Sequence, residues 1–181
     1  MKTTILLFHP DLHASRANKV LAKAAQAAGI EVRDIYSQYP AGQIDVKKEQ
    51  AVLETTDRIV FQFPMYWYAT PSLMKEWLDQ VLEYGWAYGS TGNALQGKKV
   101  ILAVTQGAGA EDYTADGRFH VTTQELLKPL ETIKYHTGLV FEEPFVVSGV
   151  LNLSEEALSD AANSYIARLS FSILELKDTF R

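Results

Sequence analysis

Three short segments of this chain carry side chains suited to binding a charged or planar ligand. The first is His9-Pro10-Asp11-Leu12-His13-Ala14-Ser15-Arg16-Ala17-Asn18. Ser15, Arg16 and Asn18 are donors for an anion, above all where the segment opens a helix. The first N–H groups of a helix are unpaired, and its dipole is positive there. A charge at a helix end is worth roughly 0.3–2 kcal/mol, enough to anchor a phosphate without choosing its owner. Neither GxGxxG nor P-loop spacing is present. Each residue also has an ordinary use: Ser15 as a helix cap, Asn18 as a solvated helix residue, His13 as a loop residue.

The second segment is Phe63-Pro64-Met65-Tyr66-Trp67-Tyr68-Ala69-Thr70-Pro71. Adjacent Tyr66, Trp67 and Tyr68 in a loop are not explained by core packing. They suit a wall on which a flat aromatic ligand stacks, and equally a plug over a sheet or a subunit interface. The third segment, Thr105-Gln106-Gly107-Ala108-Gly109-Ala110, lets backbone N–H groups come close to a ligand. On composition alone it is an ordinary flexible loop. Tyr113 and His120 follow, each with a donor that can stabilise negative charge developing on a ligand. A lone His near a helix start is also a common structural hydrogen-bonding residue.

The elements that must position these segments alternate. Apolar Ile5–Phe8 predicts a strand covered on both faces, stopped at His9-Pro10. Ser15 caps a helix with Ala17, Val20, Leu21, Ala24 and Ala28 on one side, ended by Gly29. Glu31–Tyr36 predicts a second strand, residues 37–46 a loop and Lys47–Thr56 a helix. Arg58–Phe63 is a third strand closed by Pro64. Thr70-Pro71 predicts a helix start with Thr as cap and Pro at the first helical position. Leu73, Met74, Trp77, Leu78, Val81 and Leu82 then form an apolar stripe. Residues 84–97 read as loop, Val100–Val104 as a fourth strand and Thr105–Gly117 as loop. A helix over Val121–Thr137 precedes a strand region, Leu139–Val147, interrupted by Pro144. Asn152-Leu153-Ser154-Glu155 resembles a capping box before a last helix bearing Leu158, Ala162, Tyr165, Leu169, Ile173 and Leu176.

Five βα units predict an α/β three-layer sandwich with a five-stranded parallel sheet in the flavodoxin-like order 2-1-3-4-5. Ligands of such sheets lie beyond the carboxyl ends of the strands, where the three segments fall. The chain has 181 residues, which predicts one domain over 1–181. Its net charge of −5, with no basic run, is a poor match for nucleic acid. It has no Cys, so no thiolate nucleophile or ligand. His9, His13, His120 and His136 have no zinc-ligand spacing, and no metal is expected. No GxSxG elbow of a serine hydrolase is present. No apolar run approaches a membrane span and no signal peptide is visible, so the expected location is the cytoplasm.

His9-Pro with Ser15-Arg-Ala-Asn18, Phe63-Pro-Met-Tyr-Trp-Tyr with Thr70-Pro-Ser-Leu-Met-Lys-Glu-Trp-Leu-Asp, and Gly85-Trp-Ala-Tyr-Gly89 together resemble the flavodoxin-2 family of NAD(P)H:quinone oxidoreductases. The likeness is greatest to its short bacterial members, including the flavin-containing ancillary subunits of glutathione-gated potassium-efflux systems. The resemblance implies that His9, Ser15, Arg16, Ala17 and Asn18 hold the flavin's phosphate and ribityl chain. Met65, Tyr66, Trp67 and Tyr68 would run along the isoalloxazine. Thr105, Gln106, Gly107, Ala108 and Gly109 would hydrogen-bond its pyrimidine side. Tyr113 and His120 match the Tyr and His credited with stabilising reduced flavin in larger members. Gln106 and Ala108 replace commoner Thr and Gly, and His120 lies one residue further from Tyr113 than in those members.

The resemblance also implies a homodimer, with Gly85–Gly89 expected at its interface. The cofactor is expected to be FMN, with FAD possible. The chain lacks the insertion after the second strand and the C-terminal extension of the larger FAD-binding relatives. NAD(P)H would give hydride to the flavin N5 and leave. A quinone or similar flat acceptor would then use the same stacking slot, a ping-pong order. Two other readings stand beside this one. The first is a regulatory subunit docked on a membrane potassium transporter. The second is an electron carrier without substrate, against which the aromatic segment and Tyr113 argue.

Overall fold

The computed structural model describes residues 1–170. Ile173 and Leu176, expected on the last helix, lie outside them. Strand β1 (Thr3–Leu7) leads to helix α1 (Ala17–Ala27), then β2 (Glu31–Asp34), α2 (Ile35–Gln38) and α3 (Val46–Glu54). Next come β3 (Arg58–Pro64), α4 (Ser72–Val81), β4 (Lys99–Thr105) and a 3₁₀ turn at Ala110–Asp112. The chain continues through α5 (Thr123–Glu131), α6 (Lys134–Thr137), β5 (Val140–Phe141), β6 (Phe145–Val147) and α7 (Glu155–Ser170). All pairings between these strands are parallel among the described residues. The order is β2-β1-β3-β4, and β5 and β6 share the far side of β4. This is the expected 2-1-3-4-5 order, with the fifth position split into two short segments.

The period-two alternation of the strands sorts their side chains onto two cores. Ile5, Val60, Ile101 and Ala103 face α1 and α7, meeting Leu21, Ala25, Ala162 and Tyr165. Leu6, Ile59, Phe61, Val100 and Leu102 face the other layer, meeting Leu53, Met74, Trp77 and Leu127. Covering both faces explains why Ile5–Phe8 and Val100–Val104 read as continuous apolar runs. Each buried Leu, Ile, Val, Phe or Met side chain among these is worth roughly 1.5–3 kcal/mol. A buried ionic cluster pins the second layer. Glu49, fully buried, pairs with Arg33 of β2 and accepts from Tyr39 Oη at 2.7 Å and Trp77 Nε1 at 3.2 Å.

Several local expectations are corrected. The second strand stops at Asp34 rather than Tyr36, because the Asp34 side chain accepts from Ser37 N and starts the one-turn α2. Pro71 stands at the cap position of α4 in extended geometry, without a side-chain cap from Thr70. The predicted helix over Val121–Thr137 is two helices. After Pro129 the i−4 ladder gives way to i−3 bonds, such as Ile133 N to Leu130 O and His136 N to Ile133 O. Ser154, not Asn152, caps α7, its Oγ accepting from Ala157 N at 3.1 Å. The capping box is at Thr122 and Glu125. Pro144 divides the fifth strand, and Glu142 beside the break is buried against Arg58 and Lys99.

Candidate functional site

The loops leaving β1, β3 and β4 meet at the carboxyl edge of the sheet, where the order reverses between β1 and β3. They enclose a cleft of about 430 Å³. Its walls include His9, Ser15, Arg16, Ala17 and Asn18 from the first loop, Met65 and Tyr66 from the second, and Thr105 and Gly107 from the third. Residues of all three predicted segments therefore line one cleft, while Trp67, Tyr68, Gln106, Ala108 and Gly109 are not among its walls.

The first loop is built around local donors. His9 Nδ1 accepts from Asp11 N at 3.1 Å, so the proton of the neutral ring resides on Nε2. Partial burial lowers the His9 pKa, outweighing the opposing pull of Asp11 and Asp34. Ser15 is the cap that its type predicts, accepting from Asn18 N at 3.1 Å. The N–H groups of Arg16 and Ala17 take no acceptor among the described residues. They are the unpaired donors that an anion at a helix start uses. Arg16 itself reaches α7, bonding Leu153 O at 2.9 Å and pairing with Glu155.

Asn18 is a buried support rather than a solvated helix residue. Its Nδ2 donates to Thr105 Oγ1 at 2.8 Å, and it accepts from Gln62 Nε2 at its backbone O (3.0 Å) and Oδ1 (3.2 Å). The hydroxyl of Tyr165 in turn donates to Gln62 Oε1 at 3.2 Å. This chain of buried polar groups ties the start of α1 to the ends of β3 and β4 and to α7.

Gln106 also lies beneath the cleft. Its side chain meets Met65 Sδ, Thr123 Oγ1 and Ser148 Oγ, and its backbone joins Val147 and Val150. It braces the second and third loops against the fifth. By contrast, the N–H groups of Gly107, Ala108 and Gly109 take no acceptor among the described residues. Three consecutive free donors suit the polar edge of a ring. A Cβ on Gly107 would stand 3.4 Å from Leu151 Cδ1, so a side chain there would crowd the cleft.

The aromatic segment is a two-residue hairpin turn. Tyr66 and Ala69 exchange both backbone hydrogen bonds, at 3.0 and 3.1 Å. Trp67 (φ 48°) and Tyr68 (φ 62°) sit between them in left-handed geometry. Such turns favour Asn-Gly. Two large aromatics there store strain of order 1–3 kcal/mol each, and such strain clusters at ligand sites. Trp67 is 92% exposed and Tyr68 rests edge-on against Phe119, centroids 5.4 Å apart. Phe119 also packs on Tyr113 at 5.0 Å. Burial, with Tyr68 and Asp112 nearby, raises the Tyr113 pKa, so its hydroxyl stays protonated at neutral pH. His120 is exposed, with Nδ1 3.2 Å from the Ala115 carbonyl, which requires the proton on Nδ1. No described contact joins His120 to Tyr113. Replacing Trp67-Tyr68 by Asn-Gly is expected to raise Tm by about 2–8 °C while weakening ligand binding up to about tenfold, read by calorimetry and titration.

Sequence reasoning missed Val150 and Leu151, which line the cleft from the loop after β6, and Phe119. The fold rule would have found the former pair, because a fifth loop must emerge at the same sheet edge. Nothing local to Phe119 marks its role. Among the described residues no His, Asp and Glu group is placed to hold a metal ion, and no helix is long and apolar enough to cross a membrane.

A doubly wound parallel sheet with unpaired helix-start N–H groups and an aromatic turn at its switch point defines a flavodoxin-like fold. The chain belongs to the flavodoxin-2 family, described by its flavodoxin-like fold and matched over residues 1–169. It is similar to the NAD(P)H oxidoreductase YrkL of Bacillus subtilis (strain 168), 42% identical over 92% of this chain and 96% of that one. It is 39% identical to KefF of Enterobacter sp. (strain 638), an ancillary protein of a glutathione-regulated potassium-efflux system, over 91% and 93%. Among solved structures, general stress protein 14 of Treponema denticola in complex with FMN superposes with TM-score 0.88 at 41% identity, over 93% and 98%. An NADPH-quinone reductase from P. pentosaceus gives 0.81 at 27%, over 91% and 95%.

Proposed function

We propose that this protein is an FMN-dependent NAD(P)H oxidoreductase that reduces quinones or similar flat electrophilic acceptors in two half-reactions sharing one stacking slot. The observation that carries this reading is the pairing of free donors across one cleft: Arg16 and Ala17 N–H on one side, and Gly107 N–H, at the head of the loop that continues through Ala108 and Gly109, on the other. The residues present fit the cofactor. Ser15, Arg16 and Ala17 would hold its phosphate, with His9 beside the chain and Asn18 fixing the cradle from below. Met65, Tyr66 and the turn at Trp67-Tyr68 would flank the ring, and Thr105 to Gly109 would meet its polar edge.

When bound, FMN supplies a two-electron relay between nicotinamide and acceptor. The protein's residues orient and stabilise. The glycine-loop N–H groups would present fixed dipoles where negative charge develops, and Tyr113, held by its packing on Phe119, would add its O–H. His120 has Nε2 free for a second polar contact. The turn at Trp67 offers the face on which each flat substrate settles in sequence.

We further propose a homodimer. An apolar groove of about 420 Å³, lined by Leu78, Leu82, Leu126, Leu130 and Ile133, also includes Tyr68 of the aromatic turn. A second copy seated there would cover that groove and complete the site at the same time. A cytoplasmic location fits the reducing cofactor chemistry.

The purified protein is expected to be yellow, to bleach when NADH or NADPH is added without oxygen, and to regain colour with a quinone. A colourless protein that takes up no FMN when supplied would overturn the reading. Light scattering is expected to give the mass of two chains. The likeness to KefF supports a second reading, a regulatory role on a potassium-efflux transporter. Co-purification with such a transporter, undiminished when flavin turnover is abolished, would favour it.

A further inference from the structure

A second and larger cavity, of about 720 Å³, lies on the other side of the first loop. We propose that it binds the adenosine diphosphate end of the nicotinamide donor, with Asp34 taking the ribose hydroxyls and Lys19 and Lys23 the phosphates. This rests on the oxidoreductase reading above, and it concerns residues which that reading does not use.

Its volume is in the range that seats a small-molecule ligand. The floor is apolar, with Ala22 of α1 and Val32 of β2 among its residues. Because β2 is the edge strand, no further strand closes that side. A purine can lie flat on such a floor. One wall is the face of α1 that carries Lys19 and Lys23, one turn apart. Neither ammonium forms an ion pair among the described residues. Lys19 Nζ donates to the neutral His13 carbonyl at 2.8 Å, and Lys23 is exposed. These two cations therefore remain available to phosphate oxygens.

The opposite wall ends at Asp34, the last residue of β2. Dinucleotide-binding sheets of the doubly wound type keep an acidic residue close to such a position, where it accepts from the ribose 2′-hydroxyl. The Asp34 carboxylate already accepts from Ser37 N and Oγ, which holds it in place and leaves lone pairs for a diol. A carboxylate at that point opposes a 2′-phosphate.

His9 and Asp11 line both this cavity and the flavin cleft, so the two clefts share one partition. A ligand that uses both must have two parts joined by a linker. A dinucleotide has that form: the nicotinamide end belongs in the cleft with the aromatic turn, the adenosine end in the second cavity.

The test is titration of the flavin-loaded protein with ADP by calorimetry, alongside steady-state kinetics with both donors. ADP is expected to bind and to compete with NADH. Lys23→Glu is expected to weaken ADP and raise KM for NADH by about fivefold or more, with FMN uptake and KM for the quinone unchanged. NADH is expected to be the better donor, and Asp34→Asn, which can still cap α2, to narrow its advantage over NADPH. Absence of ADP binding, indifference of KM to Lys23→Glu, or a preference for NADPH would each overturn the proposal. FMN uptake is read separately from visible absorbance. A yellow protein that ignores ADP fails this inference alone, and a colourless one that binds ADP fails the flavin reading alone.

Discussion

Tyr113→Phe is expected to slow reduction of the bound cofactor by about 10²–10³-fold while leaving its binding intact. The substitution keeps the ring that packs on Phe119 and removes only the hydroxyl. That hydroxyl keeps its proton well into alkaline solution, because burial and the neighbouring Tyr68 and Asp112 disfavour the phenolate. It is therefore a donor throughout the working range, and no decline in rate below pH about 10 is assignable to it. Anaerobic stopped-flow absorbance reads the rate, and retained yellow colour reads the binding. An unchanged reduction rate would remove Tyr113 from the mechanism and leave the glycine-loop N–H groups as the main stabilising dipoles.

The second large effect is expected at Asn18. Asn18→Leu keeps the volume but deletes the donor to Thr105 and one acceptor for Gln62, all three residues being buried. Each buried polar group left without a partner costs about 1–3 kcal/mol, so a loss of about 2–4 kcal/mol is expected. For a chain of this length that lowers Tm by about 5–15 °C. Cofactor affinity should fall with it, since Asn18 holds the cradle at the start of α1 in register with the end of β4. Adding Thr105→Val removes a group left without its donor, and the double variant should recover part of the lost Tm. Calorimetry of the two single variants and the double variant checks this. A Tm for Asn18→Leu within a degree of the parent would mean that the network contributes nothing.

The fold was legible because burial on two faces leaves a mark in one dimension. Ile5 to Phe8, Ile59 to Phe61 and Val100 to Val104 are unbroken apolar runs because both faces of each strand are covered by protein. Elements were misread where a side chain acts on its own backbone. Asp34 starts a helical turn that apolar periodicity does not register. Ser154 takes the capping role from Asn152, which looks equally suited in the sequence. The helix after Thr122 breaks beyond Pro129, although its apolar spacing continues into the next turn.

The candidate site was legible to the level of segments. Every loop that could carry chemistry lies at one sheet edge, a consequence of right-handed βα units that chain order alone implies. The division of labour inside those segments was not. Gln106 and Asn18 look like ligand donors in the sequence, and the structure buries both as braces. Free donors fall instead to the backbone of Gly107, Ala108 and Gly109, which residue type does not reveal.

By itself, then, the sequence determined the layer architecture, the strand order and the three segments that meet at the switch point, because these follow from hydrophobic period and chain connectivity. Tertiary structure alone decided which polar groups are satisfied and which are free. It formed the strained turn at Trp67 and Tyr68, set Phe119 between Tyr68 and Tyr113, and opened the cavity between α1 and β2. Each of those depends on contacts between residues far apart in the chain, and a hydrogen bond is made or left open only when its distant partner arrives.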